Sequence, residues 1–393
     1  GGYALAMPRL PAQVYLLGLV SFFMDIASEM VYPLLPLFLT TVLGAQMGVV
    51  GLVEGVAEAS ASLFKVAGGR ISDRIGARKP LLLLGYGLPV FFRPILALAA
   101  APWHVLIYRF LDRIGKGLRT APRDALVAEV ATNENFGRAY GVHRTMDSLG
   151  ATLGPFLAFL LLPVVGFTGV FWLSAIPALM AVATIGFWIK EKPGKPVPLT
   201  PFRLEGFSPE YKRFLLVSAL FTLGLSSNAF LLLRLKEFGY SDAQTALVYT
   251  GYNLLYALAS YPLGSLADRI GPRTLVAWGF GAYGAVYLGF AFASRAWQAA
   301  LLMFLYAGYS AAFEGSSRAY LAKVIPATQK ASAIGLYHTL VGLLLFPASA
   351  FFGYLWQHYG STAAFSLGAG LSFAALILFW ALEFRKATAG SVL

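Results

Sequence analysis

The 393-residue chain is 58% hydrophobic, 15% aromatic and only 12% charged, with a formal net charge of +12. A soluble domain carries about twice that charged fraction, and the apolar residues fall in runs of roughly 20, enough to cross a hydrocarbon core of about 30 Å; both facts argue against a soluble enzyme. The positive charge does not mark a nucleic-acid binder either, because the basic residues sit in short connections on alternate sides of the apolar runs.

In chain order these runs predict twelve helices, near residues 12–40, 46–71, 80–101, 103–127, 138–163, 168–190, 212–237, 241–267, 273–294, 296–324, 331–357 and 361–384. Lipid admits only helices or closed barrels, and the runs are far too long for barrel strands. The stretch 191–211, rich in proline, lysine and polar residues, is the one predicted boundary. It divides a six-helix bundle over residues 1–190 from a second over 212–393, so the expected fold class is an all-α membrane protein. Gly1-Gly2 reads as a cloning remnant, and no cleavable signal peptide is expected, since the first run is too long. Arg70, Arg74, Arg78 and Lys79 follow the second run, Lys190 to Arg213 fill the boundary stretch, and Arg385 and Lys386 follow the last. The connections on the opposite side, at 101–104, 166–169 and 357–360, hold no Lys or Arg. That asymmetry predicts both termini and the linker in the cytoplasm. Cysteine is absent, which removes disulfides and thiolate metal sites; no cofactor loop and no nucleophile–base pair stands out.

The first half is rich in charges inside its apolar runs. Asp25 and Glu29 lie one turn apart on helix 1, and Glu54 and Glu58 one turn apart on helix 2 with Lys65 further along that face. Arg93 is inside helix 3. On helix 4, Arg109, Asp112, Arg113, Lys116, Arg119 and Arg123 fall within an arc of roughly 120°, and His143, Arg144 and Asp147 share helix 5. Each charge would cost at least about 3 kcal/mol facing lipid at mid-depth, so the stripe must face the bundle interior, an aqueous cavity or the cytoplasm. Acids and bases nearly balance, as a buried network requires. One reading is a purely structural network. The other is that some carboxylates exchange protons, with Asp25, Glu29, Glu58 and Asp147 as candidates and Asp25 first because it sits near mid-span. His143, a side chain that titrates near neutrality when unperturbed, is either a packing residue or part of that relay.

The second half differs. Positions 195 residues on from Asp25, Glu29, Glu54 and Glu58 are Leu220, Gly224, Tyr249 and Asn253, and Arg109, Asp112 and Lys116 map to Phe304, Ala307 and Ala311. In their place Tyr249, Tyr252, Asn253 and Tyr256 line one face of helix 8. Tyr306, Tyr309, Glu314 and Arg318 lie on helix 10, Tyr337 and His338 on helix 11, and Asn228 on helix 7. Tyrosines at helical spacing are either packing or a polar-tipped aromatic wall for an organic substrate or cation.

The two halves also repeat a motif. Gly69-Arg-Ile-Ser-Asp73-Arg74-Ile-Gly76-Ala-Arg78 returns as Gly264-Ser-Leu-Ala-Asp268-Arg269-Ile-Gly271-Pro-Arg273. The first copy resembles the signature between helices 2 and 3 of the major facilitator superfamily. Arg109-Phe-Leu-Asp-Arg-Ile-Gly115-Lys-Gly117 resembles that family's helix 4 motif, with Asp112, Arg113 and Lys116 replacing its usual residues. Gly150-Ala-Thr-Leu-Gly154-Pro155 resembles the helix 5 motif of its exporters, with Ala158 where that pattern prefers Gly. The resemblance covers essentially the whole chain. It implies two pseudo-twofold bundles, alternating access without ATP and usually proton coupling. It also implies a cytoplasmic latch at Asp73, with Arg123, Asp124 and Arg138 as candidate partners and Asp268 and Arg269 in the second copy. The expectation is a proton-coupled exporter of a small molecule, a monomer in a bacterial cytoplasmic membrane. The alternatives are a divalent-metal or metal-chelate exporter using Asp25, Glu29, Glu54, Glu58 and His143, and a non-transporting sensor.

Overall fold

A computed structural model of the chain describes residues 10–130, 136–191, 206–325 and 330–383, excepting the side chains of 136, 137, 267, 268 and 330–332. The predicted linker (apart from 191 and 206–211), both termini and the Asp268 side chain therefore lie outside the described residues. What is described is helical. The elements are α1 (Ala12–Val31), α2 (Leu34–Leu37) running into a π-helical turn (Phe38–Val42), α3 (Met47–Ile75), α4 (Lys79–Ala97), α5 (Pro102–Val130), α6 (Phe136–Leu173) and α7 (Ala175–Phe187). They continue as α8 (Pro209–Leu223), α9 (Asn228–Glu237), α10 (Asp242–Ile270), α11 (Pro272–Phe292), α12 (Ala296–Val324) and α13 (Lys330–Glu383).

Among the described residues, seven helical stretches are long and apolar enough to cross a membrane. Two of them, Arg138–Phe187 with 50 residues and Ala333–Glu383 with 51, are too long for one crossing at 1.5 Å per residue. Each reverses at a glycine of positive φ, Gly166 at +66° and Gly360 at +86°, a conformation side-chain-bearing residues rarely adopt. Each is thus two crossings. Helices α5, α10 and α12 complete the set of twelve; they fall outside the apolar seven because they carry the charged stripe and the tyrosine rows.

The repeat is visible in the packing. In the first half α1 packs on α6 and α7, α3 on α5, and α4 on α5; in the second, α8 packs on α13, α10 on α12, and α11 on α12. Crossings 1 and 7 are both broken mid-membrane, at Tyr32-Pro33 and at Gly224–Ser227. Ser227 caps α9 by accepting from the Ala229 N–H at 3.2 Å. Tyr32 and Ser227 are repeat mates, 195 residues apart, and both reach the same buried ion pair: the Arg109 guanidinium lies 5.3 Å from the centre of the Tyr32 ring, and Ser227 donates to Glu54 at 2.9 Å. Mates that share one pair of partners lie beside the axis relating the halves.

The halves meet where α3 lies against α13 and α6 against α10. Small residues permit this approach where no hydrophobic effect drives helices together. A Cβ on Gly55 would stand 2.7 Å from the Phe346 carbonyl oxygen. Within the first half, the helix 5 glycines seat α6 on α1. A Cβ on Gly150 would lie 2.5 Å from the Phe22 carbonyl oxygen and one on Gly154 2.8 Å from that of Ile26. Gly154→Val should therefore force α1 and α6 apart and destabilise the protein by about 1–3 kcal/mol, read as a lowered unfolding temperature in detergent; Gly87→Ala, in open space, should not.

Candidate functional site

The stripe on α5 faces inward. Arg109 (1% exposed), Asp112 (4%) and Arg113 (7%) are buried. Arg109 grips Glu54 of α3 with two hydrogen bonds, 3.1 and 2.6 Å, and its guanidinium lies 5.3 Å from the centre of the Tyr32 ring. Glu54 also accepts from the Ser227 hydroxyl at 2.9 Å, so one buried carboxylate is held by both halves. Arg113 pairs with Asp112 at 3.1 Å. Arg119 donates to the Gly85 carbonyl at 3.2 Å and lies over the Tyr86 ring. Arg93 is held by the Ala27 carbonyl at 3.1 Å and by the Ser174 hydroxyl.

The acids of α1 and α6 meet each other. The carboxyl groups of Asp25 and Asp147 are within hydrogen-bonding reach. Asp147 lies 3.7 Å from Arg123 and 3.5 Å from Arg144. Arg144 reaches across to the second half, donating to the Tyr256 hydroxyl at 3.2 Å. Tyr256 in turn hydrogen-bonds Glu314, which pairs with Arg318. His143 points elsewhere: it is buried, with its Nε2 2.9 Å from the Ser21 hydroxyl.

Between the bundles lies a cavity of about 640 Å³. The tyrosine, asparagine and histidine positions singled out in the second half, Asn228, Tyr249, Asn253, Tyr256, Tyr309, Glu314, Arg318, Tyr337 and His338, all line it. From the first half it takes Glu29 and Lys116. A side chamber of about 200 Å³ adds Glu58, Lys65 and Arg113, with Lys116 and His338 common to both spaces. Asp25, Glu54, Arg109, Asp112, His143, Arg144 and Asp147 do not line either space. The rings are stacked: Tyr249 on Tyr252 with centroids 5.4 Å apart, and Tyr252 on Tyr306 at 5.8 Å. The Tyr306 hydroxyl donates to Asn228 at 3.1 Å, and Asn253 donates to the Ala151 carbonyl at 2.7 Å. Sequence reasoning passed over Ser226, Ser227, Ser310 and Phe313. The serines at 226 and 227 sit at a helix break that hydropathy does not mark, and Phe313 continues the Tyr306–Tyr309 row one turn on.

The cavity is sealed at the end away from the signature turns. There Gln357 donates to Gln46 at 2.7 Å and accepts from the Gly48 N–H at 3.1 Å. The Glu54–Arg109–Ser227 cluster and the Tyr32–Tyr249 ring contact, 5.6 Å, lie beneath. At the signature end Lys65, Lys116 and Arg318 are exposed in the opening.

The signature turn is tied within its own bundle. Gly76 ends α3 in the left-handed region, φ +70°; Gly69 lies over Ala121 of α5. Asp73 pairs with Arg78 at 3.3 Å and Arg78 with Glu129 at 3.1 Å. Glu191 accepts the N–H groups of Arg78 and Lys79, the latter at 2.8 Å, supplying a carboxylate to the positive start of α4. Arg74 is exposed. Of the partners expected for Asp73, Arg123 and Asp124 pair instead with each other at 3.0 Å. They are drawn inward because Asp147 and Ser21 offer Arg123 a half-buried site. In the second copy Arg273 approaches Glu383 at 3.9 Å, and Arg269 is exposed.

Twelve helical crossings in two halves related by a two-fold axis, with a polar cavity open at one end between them, define a multi-pass membrane transporter. The sequence profile of the Major Facilitator Superfamily matches residues 17–234 and again 214–392, and the chain belongs to that family. It is 36% identical over 359 residues to an uncharacterized MFS-type transporter of Methanocaldococcus jannaschii, covering 89% of each chain. It is 30% identical over 151 residues to the multidrug resistance protein MdtH of Yersinia enterocolitica, covering 38% of this chain and 37% of that one. Among solved structures, a POT family transporter superposes with a TM-score of 0.82 at 14% identity, over 96% of both chains.

Three substitutions test this geometry. Glu54→Ala leaves Arg109 buried and unpaired, so it should destabilise by about 3–5 kcal/mol and loosen the sealed end. The chain has no cysteine, so a single Gln357→Cys reports on that end; its labelling by a membrane-impermeant maleimide should quicken when Glu54→Ala is added. Asp73→Asn, an exposed pair, should change stability by less than about 1 kcal/mol, whereas Glu191→Gln should cost about 1–2 kcal/mol in detergent thermal unfolding.

Proposed function

We propose that the chain exports a small organic molecule in exchange for protons, by alternating access, as a monomer in the cytoplasmic membrane. Its signature turns and termini face the cytoplasm, which makes the described state inward-open. The observation that carries this reading is the contact chain from Asp25 and Asp147 through Arg144 to Tyr256, Glu314 and Arg318. Two neighbouring carboxyl groups titrate as a unit, so the pair is assigned the exchangeable proton. When that proton leaves, Asp147 competes with Tyr256 for Arg144, and the cavity wall registers the change. Asp25 and Asp147 are thus the proton site, and the tyrosine wall is the substrate site. The exporter direction is supported by the Gly150–Pro155 motif and by the likeness to a multidrug resistance protein; the basic connections support the cytoplasmic assignment of that face.

The Asp73–Arg78–Glu129 turn is assigned the role of a latch that engages the opposite bundle when the cavity opens outward. A divalent-metal exporter would bring three or more hard ligands together; among the described residues no such group of His, Asp and Glu converges.

Everted membrane vesicles carrying an imposed pH gradient test the proposal. A panel of dyes, antibiotics and aromatic acids and amines is added while a pH-sensitive dye is followed. At least one compound should discharge the gradient with the intact protein, and Asp25→Asn or Asp147→Asn should cut that discharge at least about tenfold. Full proton movement in the double variant would overturn the assignment.

A further inference from the structure

Two cations in the cavity are unspent. Lys116 of α5 opens onto both the main cavity and its side chamber, and Lys65 of α3 onto the chamber. Neither ammonium makes a hydrogen bond or an ion pair among the described residues. Their charged neighbours are largely committed. Arg113 pairs with Asp112, Arg318 with Glu314, and Glu314 also with Tyr256. Glu29 lines the main cavity rather than the chamber, with its Oε2 buried and outside any hydrogen bond among the described residues, and Glu58 is the carboxylate of the chamber. The open end is bordered by the exposed side chains of Lys65, Arg318 and Lys116, so an entering cation meets three positive groups at the mouth. Low-dielectric walls screen a charge far less than bulk water does, so a like charge entering this mouth is repelled at close range. The same field attracts an anion and raises its local concentration at the mouth. Opposite the lysines stands the wall of stacked tyrosines, a surface for a flat apolar body.

We infer that the cavity takes an organic anion, a carboxylate, sulfonate or phosphate on an aromatic body, with the acidic group seated between Lys116 and Lys65 and the body against Tyr249, Tyr252 and Tyr306. The inference rests on the transport reading above and narrows it. Lys116 and Lys65 hold the acidic group by charge-assisted hydrogen bonds, and the space of about 640 Å³ with its 200 Å³ annex suits a molecule of drug-like size. The anion also fixes the electrical character of exchange. A monoanion leaving against one entering proton moves two charges in the same sense, so an inside-negative potential drives export.

The probes are 2-naphthoate and naphthalene-2-sulfonate, against the size-matched cation 2-naphthylmethylammonium, titrated into the purified full-length protein. Binding is read by the rise in unfolding temperature. Both anions should bind, and the cation at least about tenfold more weakly. Lys116→Gln and Lys65→Gln should each weaken the anions about tenfold or more, and Lys116→Arg should keep them within a few-fold. Equal binding of the cation, or anion binding unchanged in both Gln variants, overturns the inference. The vesicle assay separates this from the parent reading. Proton discharge by amines with no anion binding sinks the anion site and leaves transport standing. Lysine-dependent anion binding, with no compound moving protons, keeps the anion site and sinks proton exchange.

Discussion

An ionised side chain has no solvent among acyl chains, and this fold is organised around that fact. Helix α5 carries six charged residues on one face, and each finds a partner or water without touching lipid. Glu54 takes Arg109, Asp112 takes Arg113, the Gly85 carbonyl takes Arg119, Asp124 and Asp147 take Arg123, and Lys116 keeps to the water of the cavity. The choice of neighbours follows: α3, which supplies Glu54, must lie on one side of α5, and α4, whose Gly85 lets Arg119 approach, on the other. A network of this kind contributes little net stability, because desolvation offsets attraction. What it contributes is orientation, since any rotation of α5 strands a charge.

The two halves have divided the chemistry. At matching positions the first half has Glu54 and Glu58 where the second has Tyr249 and Asn253. The second half satisfies its interior with hydroxyls and rings: Tyr283 stacks on Tyr287 with centroids 4.0 Å apart, and Tyr287 meets Ser226 at 2.7 Å. Hydroxyls do not change charge at ordinary pH, so this half is a fixed surface while the first half is a titratable one. The halves meet along α3 against α13 and α6 against α10, and within that contact Glu54 of the first half accepts from Ser227 of the second.

Much of this was legible in the sequence because lipid punishes ambiguity. Twelve crossings, the duplication and the inward stripe follow from hydropathy, spacing and the cost of a lipid-facing charge. The tyrosines at helical spacing on α10 and α12 announced a wall, and they line the cavity. Pairings were less legible. Asp25 and Asp147 lie on different helices, and no local spacing says that α1 crosses α6 there; only the Gly150 and Gly154 pattern hints at close approach. The sequence offers Arg123, Asp124 and Arg138 as partners for Asp73, yet in the described state Asp73 pairs with Arg78 of its own turn, which also reaches Glu129 of α5, while Glu191, arriving after α7, holds the Arg78 N–H. Ser227 escaped notice because a small polar residue at a helix break has no periodic signature.

The reversals at Gly166 and Gly360 carry a mechanical consequence. Each joins two crossings through a single left-handed residue, with no slack between them. Crossings 5 and 6, and likewise 11 and 12, are thereby welded at one rim and can only tilt as pairs. Compliance must come from elsewhere, and the interrupted crossings 1 and 7, which meet around the Arg109–Glu54 pair through Tyr32 and Ser227, are the flexible points the fold leaves. Under the alternating access proposed above, a seesaw pivoting there opens one rim by as much as it shuts the other.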